Sequence, residues 1–202
     1  MQKERLLVLS PHTDDAELGC GGSMSKWIKA GKTIKHIAFS AADQRVALSK
    51  ELMNSSKVLG IKKDDVEIFD YNVREFDKYR QDILDDMLEV NKEFKPDLVV
   101  IPSTFTTHQD HEIVRDEAFR AFKHASIIGY EDPWNNLTFN TDLFSILSKE
   151  DVDNKVKALA CYKSQEHRPY MSREFIESLA RVRGITIKKE YAEVFEIIRW
   201  II

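Results

Sequence analysis

Four times in the first 124 residues a short apolar run gives way to a segment with helical spacing, and that alternation leaves few architectures open. The runs are RLLVLS (5–10), TIKHIAFS (33–40), VEIFDY (66–71) and DLVVIPS (97–103). Helical spacing follows in 17–30 (Leu18, Met24, Trp27, Ile28), 43–59 (Val46, Leu52, Met53, Val58, Leu59), 75–94 (Phe76, Ile83, Leu84, Met87, Leu88, Val90) and 111–124. Gly31, Gly60 and Pro96 stop the first three. Strand–helix alternation predicts βαβ crossovers, hence an α/β, Rossmann-like three-layer sandwich: a mostly parallel sheet with helices on both faces. Further along, 127–132 and 142–147 read as shorter strands, 149–163 and 170–183 as helices, and 191–202 as a closing strand. If that strand is an edge, its end RWII offers an apolar contact for a homo-oligomer. No repeat or linker interrupts the chain, so residues 1–202 are expected to form a single domain.

Composition excludes some functions. A net charge of −4 argues against nucleic acid, which selects a basic face. No apolar stretch reaches the roughly 20 residues needed to span a bilayer. Two cysteines, Cys20 and Cys161, make no disulfide framework and fit a reducing, cytoplasmic setting.

Ligands bind open parallel sheets at the carboxyl ends of the strands. Two polar clusters fall there: SPHTDDAELGCGG (10–22) after the first strand and STFTTHQDHE (103–112) after the fourth. A 3-2-1-4 strand order would bring the two loops face to face. Imidazole and carboxylate are zinc donors, and a catalytic zinc keeps one position open. His12 and Asp15 are three apart, as are His108 and His111. Each cluster alone has a plainer explanation: Asp14 or Asp15 capping one helix, and Asp110 capping the other. Joint placement at two strand ends favours a site. His36, His124 and His167 read as structural or exposed. Gly19, Gly21 and Gly22 read as packing positions rather than a phosphate loop.

The pair PHTDDAELGCGG and HQDH resembles the PIG-L/LmbE-like zinc-dependent de-N-acetylases, whose motifs are written (A/P)HPDDxE and HxDH. The stretches RQDILDDMLEVNKEFKPDLVVIPS, GYEDPW, CYKSQ, RPYMSREFIESLARVRG and EYAEVFEIIRW extend the resemblance over most of the chain. It implies Zn²⁺, or another divalent metal, on His12, Asp15 and His111. It also implies Asp14 as general base, His108 as transition-state stabiliser or acid, and Asp110 as the residue that orients His108 and favours its protonated form. Thr13 stands where the family has Pro, which would loosen the loop. SAADQR does not match the family's acidic and Arg positions after the second strand.

The implied reaction is hydrolysis of an N-acetyl group on a small-molecule sugar or sugar conjugate of the N-acetylglucosamine type. One alternative is an amidase acting on a conjugated thiol or antibiotic. Another is a non-catalytic Rossmann-like binding protein, which would call for a Gly-rich phosphate loop where His12 and the aspartates stand. Arg74, at the mouth after the third strand, is a candidate substrate contact, equally readable as a solvated helix-start residue, and Arg45 is similar. Tyr130 and Trp134 could stack on a sugar ring or pack in the core.

Overall fold

Alternate residues of the first strand bury into two different cores, which is what a strand covered on both faces requires. In β1 (Arg5–His12), Leu7 and Leu9 pack toward one face while Leu6 and Val8 pack toward the other. The structure, a computed structural model, describes residues 4–41 and 45–202. The start of the helix predicted from 43 and half of the SAADQR segment therefore lie outside the described residues.

The elements follow the predicted order. After β1 come α1 (Asp15–Lys29), β2 (Thr33–Ser40), α2 (Arg45–Leu59), β3 (Val66–Ile68), α3 (Arg80–Phe94), β4 (Leu98–Pro102), α4 (Gln109–Ala121), β5 (Ser126–Tyr130), β6 (Leu143–Leu147), α5 (Lys149–Leu159), α6 (Arg173–Ile185) and β7 (Tyr191–Arg199). One sheet of seven strands runs β3-β2-β1-β4-β5-β7-β6. The first five are parallel, and β7 is antiparallel to both β5 and β6. Helices α3 and α4 cover the Leu7/Leu9 face, and α1 covers the other, with α2 and α5 packed beside it. The fold is the mostly parallel α/β three-layer sandwich expected.

Three expectations shift. The helix expected from 75 begins with a 3-10 turn, Phe76–Tyr79, before α3. The helix expected over 149–163 ends at Leu159. The closing strand stops at Arg199 and is not an edge: it inserts between β5 and β6. Tyr191–Phe195 are all buried, and the strand is hydrogen-bonded along both edges, to β5 and to β6. RWII thus lies past an internal strand, with Trp200, Ile201 and Ile202 exposed.

The glycines of GCGG make room for other side chains, as the packing reading expected. A Cβ on Gly19 would lie 2.3 Å from Cδ2 of Tyr130, and one on Gly22 would lie 2.6 Å from Cδ1 of Leu147. Tyr130 is fully buried, so its ring has nowhere to retreat. Gly19→Ala is expected to cost about 1–3 kcal/mol through overpacking, read as a lowered urea midpoint. An unchanged midpoint would show that the Tyr130 ring yields.

His36, in β2, is buried and shares a 2.9 Å hydrogen bond through Nε2 with Ser10 Oγ. Ser10 Oγ also accepts the amide of Ala16 at 3.1 Å, which ties the start of α1 to the sheet. Burial pushes His36 down to about 4. The unfolded chain then binds the extra proton between about pH 6.5 and 4, so stability is full above that window and falls as pH drops through it. The loss is roughly 3 kcal/mol. Urea melts of wild type and His36→Gln should therefore differ least at low pH, and a pH-independent difference would refute the assignment.

Candidate active site

The sheet order sets the carboxyl ends of β1 and β4 side by side, and the two polar clusters come together there. His12 is the last residue of β1 and Asp15 the first of α1, with Thr13 and Asp14 as the turn between them. His108 is the N-cap of α4, and Asp110 and His111 lie in its first turn.

Capping does not account for these residues. Asp14 occupies the N-cap position of α1, yet its side chain makes no capping bond. At α4 the cap is His108 rather than Asp110: His108 Nδ1 accepts the Asp110 amide at 3.2 Å. The remaining polar groups are in excess of what a helix start consumes.

They converge on Asp15. Its Oδ2 accepts the His12 amide at 2.7 Å and lies 3.2 Å from both His12 Nδ1 and His111 Nε2. On the far side of each imidazole stands another carboxylate. His12 Nε2 is 3.0 Å from Asp110 Oδ2, and His111 Nδ1 is 3.6 Å from Asp132 Oδ2. Asp132 follows β5 and was not singled out in the sequence. Its signal was GYED at the carboxyl end of a further parallel strand, the same rule that found the other two loops.

One expectation about orientation is overturned. The Asp110 carboxylate does not bond to His108. It is held by His12 Nε2 and by the Arg74 amide at 2.7 Å. Arg74 has a left-handed backbone (φ 66), and its carbonyl accepts Gln109 Nε2 at 2.7 Å, so the loop is clamped to the start of α4. Because Asp110 touches His108 only through its amide, Nδ1 is the acceptor and Nε2 carries the proton of a neutral ring. Burial, with His111 and His12 nearby, presses His108 down to about 4. Nearby charge therefore does not make it an imidazolium.

Other charges are set by the same packing. Against the cost of burial, His111 and His12 hold Asp15 well below the usual carboxylate range. Burial and the adjacent Asp15 push Asp14 up to about 6. Burial opposes charge on His12, but Asp15 and Asp110 together raise it to about 10. Asp15 thus attracts positive charge to this point.

The Thr13 loop is tied rather than loose. Thr13 is buried, and Tyr162 donates to its carbonyl at 2.5 Å. Tyr162 also lies 2.9 Å from Glu17 Oε1, which accepts Ser55 Oγ at 2.7 Å. A side chain from the turn after α5 does here what a Pro ring would do locally.

The donor set suits a divalent cation. Donors around a four-coordinate zinc stand about 3.3 Å apart, close to the spacing of Asp15 Oδ2 from each imidazole. Neither ring nitrogen of His111 completes a hydrogen bond among the described residues, although both are buried. Metal-bound histidines usually point their second nitrogen at a carboxylate, as His12 does toward Asp110 and His111 toward Asp132. Among the described residues two triads have donor atoms that all lie within 4.8 Å of one another: His12, His108 and His111, and Asp15, His111 and Asp132. His108 Nδ1 is occupied by the Asp110 amide, and Asp132 accepts Asn135 Nδ2 at 2.6 Å and the Trp134 amide at 3.3 Å. His111 belongs to both triads, and its ring nitrogens are the ones left without a hydrogen bond among the described residues.

Around them opens a cleft of about 320 Å³, lined by Asp14, His108, Arg74 and Arg168 among others, at the lower end of the range for small-molecule sites. Trp134, 64% exposed, is on its wall, its ring tilted 44° to that of Tyr170 with centroids 4.9 Å apart. Tyr130 is core. Arg45 pairs with Asp70 on the surface.

Similarity to known proteins agrees with this layout. The family model for GlcNAc-PI de-N-acetylase (PIG-L) matches residues 7–122, which include both clusters. The uncharacterized deacetylase YaiS of Escherichia coli K12 is 27% identical over 175 residues, 81% of this chain and 92% of that protein. Among solved structures, N,N'-diacetylchitobiose deacetylase from Pyrococcus horikoshii superposes with a TM-score of 0.79 at 20% identity, covering 98% of this chain and 85% of its own. GalB, the 4-carboxy-2-hydroxymuconate hydratase of Pseudomonas putida KT2440, superposes with a TM-score of 0.80 at 20% identity, covering 98% of both chains. Since a hydratase shares the scaffold, the reaction is chosen by the site and not by the fold. The chain belongs to the GlcNAc-PI de-N-acetylase (PIG-L) family.

Proposed function

We propose that this protein is a metal-dependent deacetylase that removes an N-acetyl group from a sugar or sugar conjugate of the N-acetylglucosamine type, with residues 1–202 acting as one domain. The observation that carries the reading is Asp15 Oδ2 set 3.2 Å from both His12 Nδ1 and His111 Nε2, with Asp14 beside it on the cleft wall. The names of the relatives support the acetyl group, and the donor chemistry supports Zn²⁺.

In this reading His12, Asp15 and His111 hold the ion. Bound there, zinc supplies Lewis acidity and a water acidified to a pKa near 7. Asp14 is placed to take a proton from the attacking water: a carboxyl raised to about 6 is ionised at neutral pH, yet basic enough to take a proton in flight. Neutral His108 donates from Nε2–H to the oxygen that becomes negative as the amide carbon turns tetrahedral. Asp14, now protonated, can return its proton to the departing amine. Asp110 fixes His12, and Asp132 fixes His111, so that one nitrogen of each ring faces Asp15.

Acetate release from N-acetylglucosamine, N,N'-diacetylchitobiose and an N-acylated amino-acid control tests the proposal. Zinc-loaded protein is expected to release acetate from the sugars, and chelator-stripped protein to lose the activity until zinc is restored. Full activity after stripping, or release only from the amino-acid control, would overturn it.

A further inference from the structure

The chain has eleven arginines, and their partners sort them sharply. Eight form ion pairs with Asp or Glu: Arg5, Arg45, Arg80, Arg115, Arg120, Arg173, Arg181 and Arg183. Arg199 donates to the carbonyls of Phe122 and Phe119. Of the three arginines without an ion pair among the described residues, Arg74 and Arg168 line the same cleft. They reach it from different loops, one between β3 and α3 and the other between α5 and α6.

Neither is placed there idly. The left-handed backbone of Arg74 is unfavourable for a residue with a Cβ, and it is kept by the Asp110 and Gln109 bonds on either side of the peptide. Arg168 is propped by a bond to the Tyr170 hydroxyl and lies 5.8 Å from that ring's centroid, with Trp134 in tilted contact with Tyr170. Of the carboxylates on the cleft, Asp15 is engaged with two imidazoles and Asp132 with Asn135 and the Trp134 amide, while Asp14 feels the charge of Arg168 without forming an ion pair with it. Two arginines that line one cleft, neither in an ion pair among the described residues, make a receptor for an external anion.

We propose that the substrate carries an anionic group, a carboxylate or a phosphate, which Arg74 and Arg168 bind while the acetamido group lies at Asp15. This deepens the deacetylase reading and rests on it for where the acetamido group sits. The acid thus belongs to the part of the molecule that survives deacetylation, and the product is an amino sugar acid or amino sugar phosphate.

The test is calorimetric binding to the zinc-loaded protein, so it does not require turnover. The probes are N-acetylglucosamine, its 1- and 6-phosphates, and N-acetylmuramic acid. At least one acidic probe is expected to bind about tenfold or more tightly than the neutral sugar, the size of one charge-assisted contact. That advantage should shrink as salt rises. Whether a phosphate or the lactyl carboxylate shows it identifies the anion. Arg168→Met and Arg74→Met should each remove most of the advantage, and Arg168→Lys should keep part of it. Equal affinity for neutral and acidic sugars overturns the inference, and so does an advantage that persists in both Met variants. If the acidic probes bind through the arginines but no probe releases acetate, the deacetylase reading fails and the anion site stands.

Discussion

Asp14→Asn is expected to lower kcat for acetate release by about a hundred- to ten-thousand-fold, the range for removing a positioned general base. The amide keeps the size and polarity of the carboxyl but cannot accept the proton. Asp14 is not among the proposed metal ligands: Asp15 Oδ2 rather than Asp14 lies 3.2 Å from His12 and His111. Its side chain does not cap α1 either. Zinc content and thermal stability should therefore stay close to wild type while turnover collapses. Two measurements separate the roles: bound zinc by atomic absorption and kcat at saturating sugar. A variant that turns over within threefold of wild type removes Asp14 from the mechanism, and one that loses zinc in parallel makes Asp14 a ligand instead.

The second large effect lies away from the cleft. α1 is broken at Cys20, whose φ of −143 is not helical, and the break exposes fresh amides. Glu193, from β7, accepts Gly22 N at 3.0 Å and Ser23 N at 2.6 Å and pairs with Lys155 Nζ at 2.7 Å. Both charged side chains are buried. Glu193→Ala would strand the Lys155 ammonium and two amides inside the protein. Breaking one side of such a pair costs about 3–5 kcal/mol, which for a chain of this size lowers Tm by about 10 °C or more. The double variant Glu193→Ala, Lys155→Met should recover a good part of the loss, since it removes the orphaned charge. A single variant melting within 2 °C of wild type would mean that the pair contributes little.

Much of the fold was legible because periodicity is a local property. β1 to β4 and their helices came from runs of apolar residues that any chain must bury, whereas periodicity left the 3-2-1-4 order only as a condition, which the observed sheet meets. β7 was less legible. YAEVFEII declares burial, but burial alone does not say which neighbours supply it, and here they are β5 and β6. The site divided similarly. The rule that ligands sit at strand ends found His12, Asp14, Asp15, His108, Asp110 and His111. It had no means of showing that Asp110 turns its carboxylate to His12 and its amide to His108, or that Asp132 stands behind His111. Thr13, out of pattern in the motif, is held by Tyr162, a contact spanning 149 positions.

By itself the sequence determined the alternating architecture, the two loops that carry the chemistry and the kinds of group available in them. These depend on side-chain type and spacing, which the chain carries with it unfolded. Tertiary structure alone decided which nitrogen of each histidine faces Asp15, which carboxylates stand behind them, and which two arginines are left facing the cleft. Those are matters of distance and burial between segments remote in sequence, and they come into being only when the segments pack.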